Sequence, residues 1–383
     1  MADHSWIPKN EKNQYCPRSK AELTELVKDE SVSLGQIDTV HITDMSGLFP
    51  EHVKNYSLLF TGHCIRSDFS GISSWNVSKV TDMSDMFRNA DSFNEDISRW
   101  DVSNVTNMSG MFARAKAFNG NVGHWDVSNV TNMSGMFVGA KAFNGDVGHW
   151  NVSNVTNMSG MFAWAEAFDG DIGCWDVSNV TDMSRMFAGA KAFAGDVSRW
   201  DVSNVTDMAD MFADALRFNG DIARWDVSQV TNMRRMFYHA RQFNGNISRW
   251  NVSKVTDMGE MFCGTERFDS DISQWDVSKV ETMASMFLGA QAFHRDISCW
   301  YAPVLSNVTR MFWGATAFTQ DTDLHYASLQ NAKGRILVAI KDVRLVVAKK
   351  ALHARMTPRQ MRNRMRGKAK TLQTRVQAHE ERQ

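Results

Sequence analysis

Large apolar residues recur along this chain at one fixed interval. Trp75, Trp100, Trp125, Trp150, Trp175, Trp200, Trp225, Trp250, Trp275 and Trp300 follow one another every 25 residues without a slip. The series Phe87 to Phe312 and Phe93 to Phe318 keep the same spacing. A fixed period of this kind marks a stacked-repeat architecture, because a single unit cannot bury its apolar side and a stack of units can. One full period, residues 105–129, reads VTNMSGMFARAKAFNGNVGHWDVSN.

Two shorter rhythms alternate inside each period. Ile97-x-x-Trp100-x-Val102 predicts a strand with Trp100 and Val102 facing inward, since successive strand residues point to opposite sides. Met108, Met111, Phe112, Ala115 and Phe118 have helical spacing. Gly110, Gly135, Gly139 and Gly189 fall in that segment, so the expected helix is short or partly 3₁₀. Asn119-Gly120, Asn144-Gly145 and Asn219-Gly220 are turn signals. The expected fold class is α/β: a right-handed, leucine-rich-repeat-like solenoid of about eleven coils, with a parallel sheet on one face, short helices on the other and helical caps.

The ends differ from the repeats. Ser19-Lys20-Ala21-Glu22 predicts a capping box opening a short helix, and residues 1–33 are expected to cap the first coil. Leu34, Ile37, Ile42, Met45, Leu48 and Phe49 occupy the repeat slots of a degenerate first coil, so the solenoid is expected over 34–318, with a loop of 13 extra residues inserted within 50–68. Beyond Phe318 the pattern stops. Ile336, Ile340, Val343 and Val347 predict one amphipathic helix, and Thr357-Pro358 opens a second. Residues 319–383 are expected to be a basic helical tail.

Composition adds an asymmetry. The formal net charge is −1, yet residues 331–383 hold 15 Lys/Arg against 3 Asp/Glu, leaving an acidic body joined to a basic end. Such a tail is expected either to dock as a cap, to serve as a partner helix, or to meet a polyanion. The polyanion contact would use Arg359, Arg362, Arg364, Arg366, Lys368 and Lys370. Five cysteines without a C-x-x-C pair indicate free thiols, as in a reducing compartment. The N-terminal MADHSWIPKN has no apolar signal region, and the run Ile336–Val347 is too short and too charged to span a bilayer, so a cytoplasmic location without a transmembrane segment is expected.

The phrase F-N-G-D-I-x-x-W-D-V-S-N-V-T-N-M-S-G-M-F resembles the BspA-like leucine-rich repeat surface proteins, and more narrowly the 25-residue repeat of mycoplasmal lipoproteins. The resemblance covers about residues 43–318 and rests on the Trp, Met-x-x-Met-Phe and Phe-Asn slots. It implies a solenoid acting in adhesion and protein recognition, with no catalytic residues. A lipobox or wall anchor like those of surface members is not expected.

Candidate chemistry sits on the polar positions. Nineteen of the 24 methionines fill two repeat slots and, like the Trp and Phe series, are expected in the core rather than around a cofactor. One face of the predicted strand would present Arg99, Asp101, His124, Asp126, His149, Asn151, Asp176, Arg199, Asp201, Arg224, Asp226 and Arg249. That strip reads either as a protein-binding surface or as a self-neutralised ladder in which Arg99, Arg199, Arg224 and Arg249 offset the Asp column. His124, His149 and Cys174 stand on successive coils; variation in an exposed slot accounts for them, and no metal is assigned. A second row, Asp96, Asp146, Asp171, Asp196 and Asp221, reads as turn-capping, because the G-G-x-G-x-D signature of calcium-binding solenoids is absent. Sequons such as Asn104-Val105-Thr106 come with the repeat. With no Ser/His/Asp, P-loop or H-E-x-x-H arrangement, the expectation is a non-enzymatic protein without cofactor or small-molecule substrate.

The basic tail generates a direct prediction. Residues 355–375 carry eight Lys/Arg. Cation clusters bind polyanions by releasing counterions, and an acidic body competes for the same charges. The isolated 355–383 peptide should therefore bind RNA or anionic vesicles more tightly than the full chain, both losing affinity as salt rises in a titration. Absence of binding by either at low salt rules out the polyanion contact.

Overall fold

Each repeat is tied to the next by main-chain hydrogen bonds made along one short segment. In the computed structural model, residues 3–49, 51–52, 63–64, 66–297 and 300–318 are described. Parallel bridges run through one slot of every coil: Asp44 to Asp82, Asp82 to Asn107, Asn107 to Asn132, and onward to Asn307.

From this slot the amides alternate in direction. Met108, Gly110, Phe112 and Arg114 donate forward to the carbonyls of Asn132, Ser134, Met136 and Val138, at 3.0, 2.8, 2.8 and 2.6 Å. Met111, Ala113 and Ala115 instead donate three residues back within their own coil, to Met108, Gly110 and Phe112, at 3.2, 2.8 and 3.0 Å. The alternation follows from a left-handed backbone at two positions per coil, Gly110 (φ 62°) and Arg114 (φ 60°) in this one. The amide of each left-handed residue points along the stack, and the amide after it closes the turn back within its own coil. Glycine adopts this conformation freely. Where the slot holds Trp164, Arg185, Asp214 or His239, the same φ is imposed on a side-chain-bearing residue, against a preference of roughly 1–2 kcal/mol.

Two expectations are corrected here. The segment 108–118 is not a helix: its i→i−3 bonds never become an i→i−4 ladder, and its glycines serve left-handed positions rather than interrupting a helix. The segment Ile97–Val102 is not a strand: it makes two turns, closed by Trp100 N–H to the Ile97 carbonyl at 3.1 Å and Val105 N–H to the Val102 carbonyl at 2.9 Å. The parallel pairing has moved to the Asn107 slot. The inward set is nevertheless the one anticipated, with Ile97, Trp100, Val102, Met108, Met111, Phe112, Ala115 and Phe118 all buried in one continuous core.

Side-chain ladders reinforce the main-chain one. Asn104 Nδ2 donates to the Ser78 carbonyl of the preceding coil at 2.8 Å, and the Asn119 N–H donates to Asn94 Oδ1 at 2.8 Å. The recurring S-N-V and F-N-G asparagines are therefore coil-to-coil ties, and the sequon pattern is a by-product of the first. A buried indole N–H needs an acceptor. Trp125 Nε1 donates to the Ile97 carbonyl at 3.2 Å, and every later Trp in the series repeats the bond 28 residues back. Trp100 Nε1 alone in the series has no partner among the described residues.

The stack widens towards its Trp side. Consecutive Phe112-slot rings lie 5.4–5.9 Å apart from Phe87 to Phe312. Trp rings from Trp150 to Trp300 lie 6.4–6.5 Å apart and parallel to within 3°. The hydrogen-bonded segment is thus the tight side and the Trp edge the open one.

At the N-terminal end, α1 (Lys20–Lys28) begins at Ser19, whose hydroxyl accepts from the Glu22 N–H at 3.3 Å. The Glu22 carboxylate reaches back to the Arg18 N–H at 2.7 Å, one residue before the position a reciprocal capping box uses. Leu23, Leu26 and Val27 bury against the first coil. Arg66, 3% exposed, donates to the Val27, Asp29 and Val32 carbonyls and clamps the end of α1, where a cation meets the negative helix terminus. Within the insertion, β1 (Glu51–His52) pairs antiparallel with β2 (His63–Cys64). The remainder of the insertion, Cys299 and the whole tail from residue 319 lie outside the described residues.

The packing makes a testable statement. Trp175→Ala in a central coil should cost about 3–5 kcal/mol through the cavity it leaves. Trp175→Phe, which keeps most of the volume and loses the bond to the Val147 carbonyl, should cost about 1–3 kcal/mol. Urea midpoints measure both, and an unchanged midpoint for the Ala variant contradicts the buried position.

Candidate functional site

The phrase Asp/Asn-x-Ser occurs three times in one coil, and each instance closes a small turn. The Ser98, Ser103 and Ser109 amides donate to the side-chain oxygens of Asp96, Asp101 and Asn107 at 3.0, 3.1 and 3.1 Å. The Ser103 hydroxyl also donates to Asp101, at 2.6 Å. Asx turns of this kind supply locally the acceptors that the amides of a coil of turns would otherwise lack. They also hold the carboxylates ionised: hydrogen bonds from Ser128 and Ser178 keep Asp126 and Asp176 below the usual aspartate range, and Ser98 does the same for Asp96.

These turns display the sequence-predicted residues. Arg99, Asp101, His124, Asp126, His149, Asn151, Asp176, Arg199, Asp201, Arg224, Asp226 and Arg249 are all exposed, in two columns flanking the buried Trp series. They stand on turns of the open edge rather than on a sheet face. Arg199, Asp201, Asp221, Arg224 and Asp226 line one shallow groove together with Ser198 and Trp200. Arg99 and Arg199 act electrostatically on Asp96 and Asp196, three residues back, as the smallest of the influences on those carboxylates.

Charge neutralisation occurs on a different part of each coil. Lys116 pairs with Asp91 at 2.7 Å, while Lys141 and Lys191 pair with Glu166 at 2.9 and 2.8 Å. Further along, Arg185 and Arg235 flank Asp210, and Arg234 and Arg235 reach Glu260. Glu166 is held down to about 2 by its hydrogen bonds from Lys191 and Lys141. Burial pushes the Asp210 carboxyl up, against the opposing pull of Arg235 and Arg185. Sequence reasoning missed this network. Its signal is opposite charge at an offset of 25 residues, as in Asp91/Lys116 and Lys141/Glu166/Lys191.

Among the described residues, no three His, Cys, Asp or Glu side chains converge to hold a metal ion, and no helix is long and apolar enough to cross a membrane. Arg359, Arg362, Arg364, Arg366, Lys368 and Lys370 lie outside the described residues.

The repeat unit has relatives. Residues 54–173, 156–262 and 243–336 match, as three overlapping tandem segments, the family described as Mycoplasma protein of unknown function, DUF285. The chain belongs to this family. No curated protein matches it. The matched segments span both the buried Trp and Met-x-x-Met-Phe slots and the exposed columns beside them.

Two thiols test this placement. Cys174 is exposed in the Arg99-type slot, whereas Cys263 is buried and its thiol is pushed up to about 11, mainly by burial. In native protein at pH 8, a maleimide should modify Cys174 rapidly and Cys263 only on unfolding, as read by mass spectrometry of proteolytic fragments. The reverse order contradicts the assignment of the open edge.

Proposed function

We propose that this DUF285 chain is a non-enzymatic recognition scaffold of the right-handed solenoid class, binding protein through the Arg/Asp columns of its open edge. In kind it matches the adhesion and recognition role implied by its resemblance to BspA-like repeat proteins. The observation that carries the reading is the division of charge between surfaces. Lysines and arginines on the paired flank meet carboxylates of neighbouring coils, while the arginines of the Trp edge are exposed and form no ion pair among the described residues. A charge left accessible and repeated at a fixed interval costs solubility nothing and offers a partner a regular set of hydrogen-bond groups. Arginine suits this role, because its fork of donors is pre-organised and weakly hydrated.

The test compares two double variants of the full chain immobilised on a support and exposed to cell and membrane extracts. R199E/R224E changes the open edge, and R217E/R267E makes the same charge change at exposed arginines elsewhere. Proteins retained by the wild type and by R217E/R267E, and lost from R199E/R224E, support the reading. Equal retention by all three, or no specific retention by any, overturns it.

A further inference from the structure

The pitch of the open edge says what kind of segment fits it. Trp200, Trp225 and Trp250 stack with centroid separations of 6.4 Å and interplanar angles of 1–3°, so the Trp edge advances by that length from coil to coil. Arg199 and Asp201 flank the first of these rings, and Arg224 and Asp226 the second. Each coil therefore offers one guanidinium donor and one carboxylate acceptor, recurring at about the same interval. An extended polypeptide advances about 3.2–3.4 Å per residue and turns alternate residues to opposite edges, so the N–H and C=O groups on one edge recur every 6.4–6.8 Å or so. The two periods agree at the Trp edge. They do not agree at the Phe212–Phe237–Phe262 column, where the step is 5.8 Å.

We propose that the groove along Arg199, Asp201, Arg224 and Asp226 binds the backbone of an extended, uncharged peptide segment lying parallel to the stack axis, with one coil for every two residues. This deepens the recognition function proposed above and rests on it. Arginine donates to the peptide carbonyls and aspartate accepts from the peptide amides. The Asp201 and Asp226 Oδ1 atoms already accept the Ser203 and Ser228 amides at 3.0 and 2.9 Å. A carboxylate has about four lone-pair sites, so the outer oxygen keeps acceptor capacity. Ionised acceptors and donors make shorter and stronger bonds than neutral ones. The groove carries two arginines, Arg199 and Arg224, and three aspartates, Asp201, Asp221 and Asp226, so a peptide charged in either sense gains at one set and loses at the other. That balance selects a neutral segment, and reading the backbone makes the selection tolerant of side chains. On the three preceding coils the donor slot holds His124, His149 and Cys174, which lack the forked donor set of a guanidinium, so the cradle begins at Arg199.

The experiment uses the full chain and three dye-labelled probes in fluorescence anisotropy. The first is a capped Ser/Thr decapeptide, the second the same peptide with Glu at alternate positions, and the third decaproline, which has no backbone N–H. The Ser/Thr peptide should bind, and decaproline should bind at least tenfold more weakly. R199Q/R224Q and D201N/D226N should each weaken the Ser/Thr peptide at least tenfold. Asparagine already occupies the acceptor slot at Asn251, so the second variant retains the turn, and near-UV circular dichroism of the Trp column checks the fold of both. Decaproline binding as well as the Ser/Thr peptide, or D201N/D226N leaving that peptide unaffected, overturns the proposal. So does tighter binding of the Glu peptide, which would make the edge a reader of acidic side chains. If R199E/R224E loses its captured partner but the Ser/Thr decapeptide neither binds nor displaces that partner, the recognition function stands and the backbone cradle falls.

Discussion

The forward hydrogen bonds from Met108, Gly110, Phe112 and Arg114 are the constraint on which the rest of the structure depends. They require alternate amides to point along the stack, and that requires two left-handed residues in every coil. A helix over the same residues would satisfy its amides internally and leave nothing to join one unit to the next. A strand would join them but could not turn within so few residues. The alternating conformation does both. It bends the chain sharply while keeping every second N–H available to a neighbour. The core then follows: with coils locked in register, equal residues lie over equal residues, so Phe stacks on Phe from Phe87 to Phe312 and Trp on Trp from Trp150 to Trp300.

The unit of architecture was legible in the sequence, and its secondary structure was not. Period, register and the inward set were readable because burial is dictated by which side chains are apolar, and Trp100, Met108, Phe112 and Phe118 are so in every repeat. The backbone was misread because Met108-x-x-Met111-Phe112 has the same apolar spacing in a helix as in a chain of three-residue turns. The distinguishing mark was present in the slots at 110 and 114, where Gly alternates with Asp, Asn, Arg and Trp. Gly in both slots of one coil (Gly135, Gly139) fits a left-handed requirement better than a helix interior, but Arg185 or Trp164 in the same slots conceals it.

The candidate surface was legible in a similar, partial way. Alternation placed Arg99 and Asp101 on either side of an inward Trp, and both are exposed. What alternation could not supply was their environment. The ion pairs between coils form on another flank, and they were not legible because charges one repeat apart meet only once the stacking distance is known. The Asp column is stabilised by Ser donors two residues on, a local arrangement that the D-V-S phrase contains but that reads equally well as exposed strand.

Because every coil ends in the donor set with which it began, the joint between any two neighbours is chemically the same as the joint between any other two. Loss or duplication of one whole repeat in the gene would bring together a donor row and an acceptor row that already fit, with the Trp indole still finding the carbonyl 28 residues before it. The array can thus change length over evolutionary time in steps of one coil without passing through an unfoldable intermediate. Its exposed columns, free of any part in that joint, are at liberty to drift into new specificities.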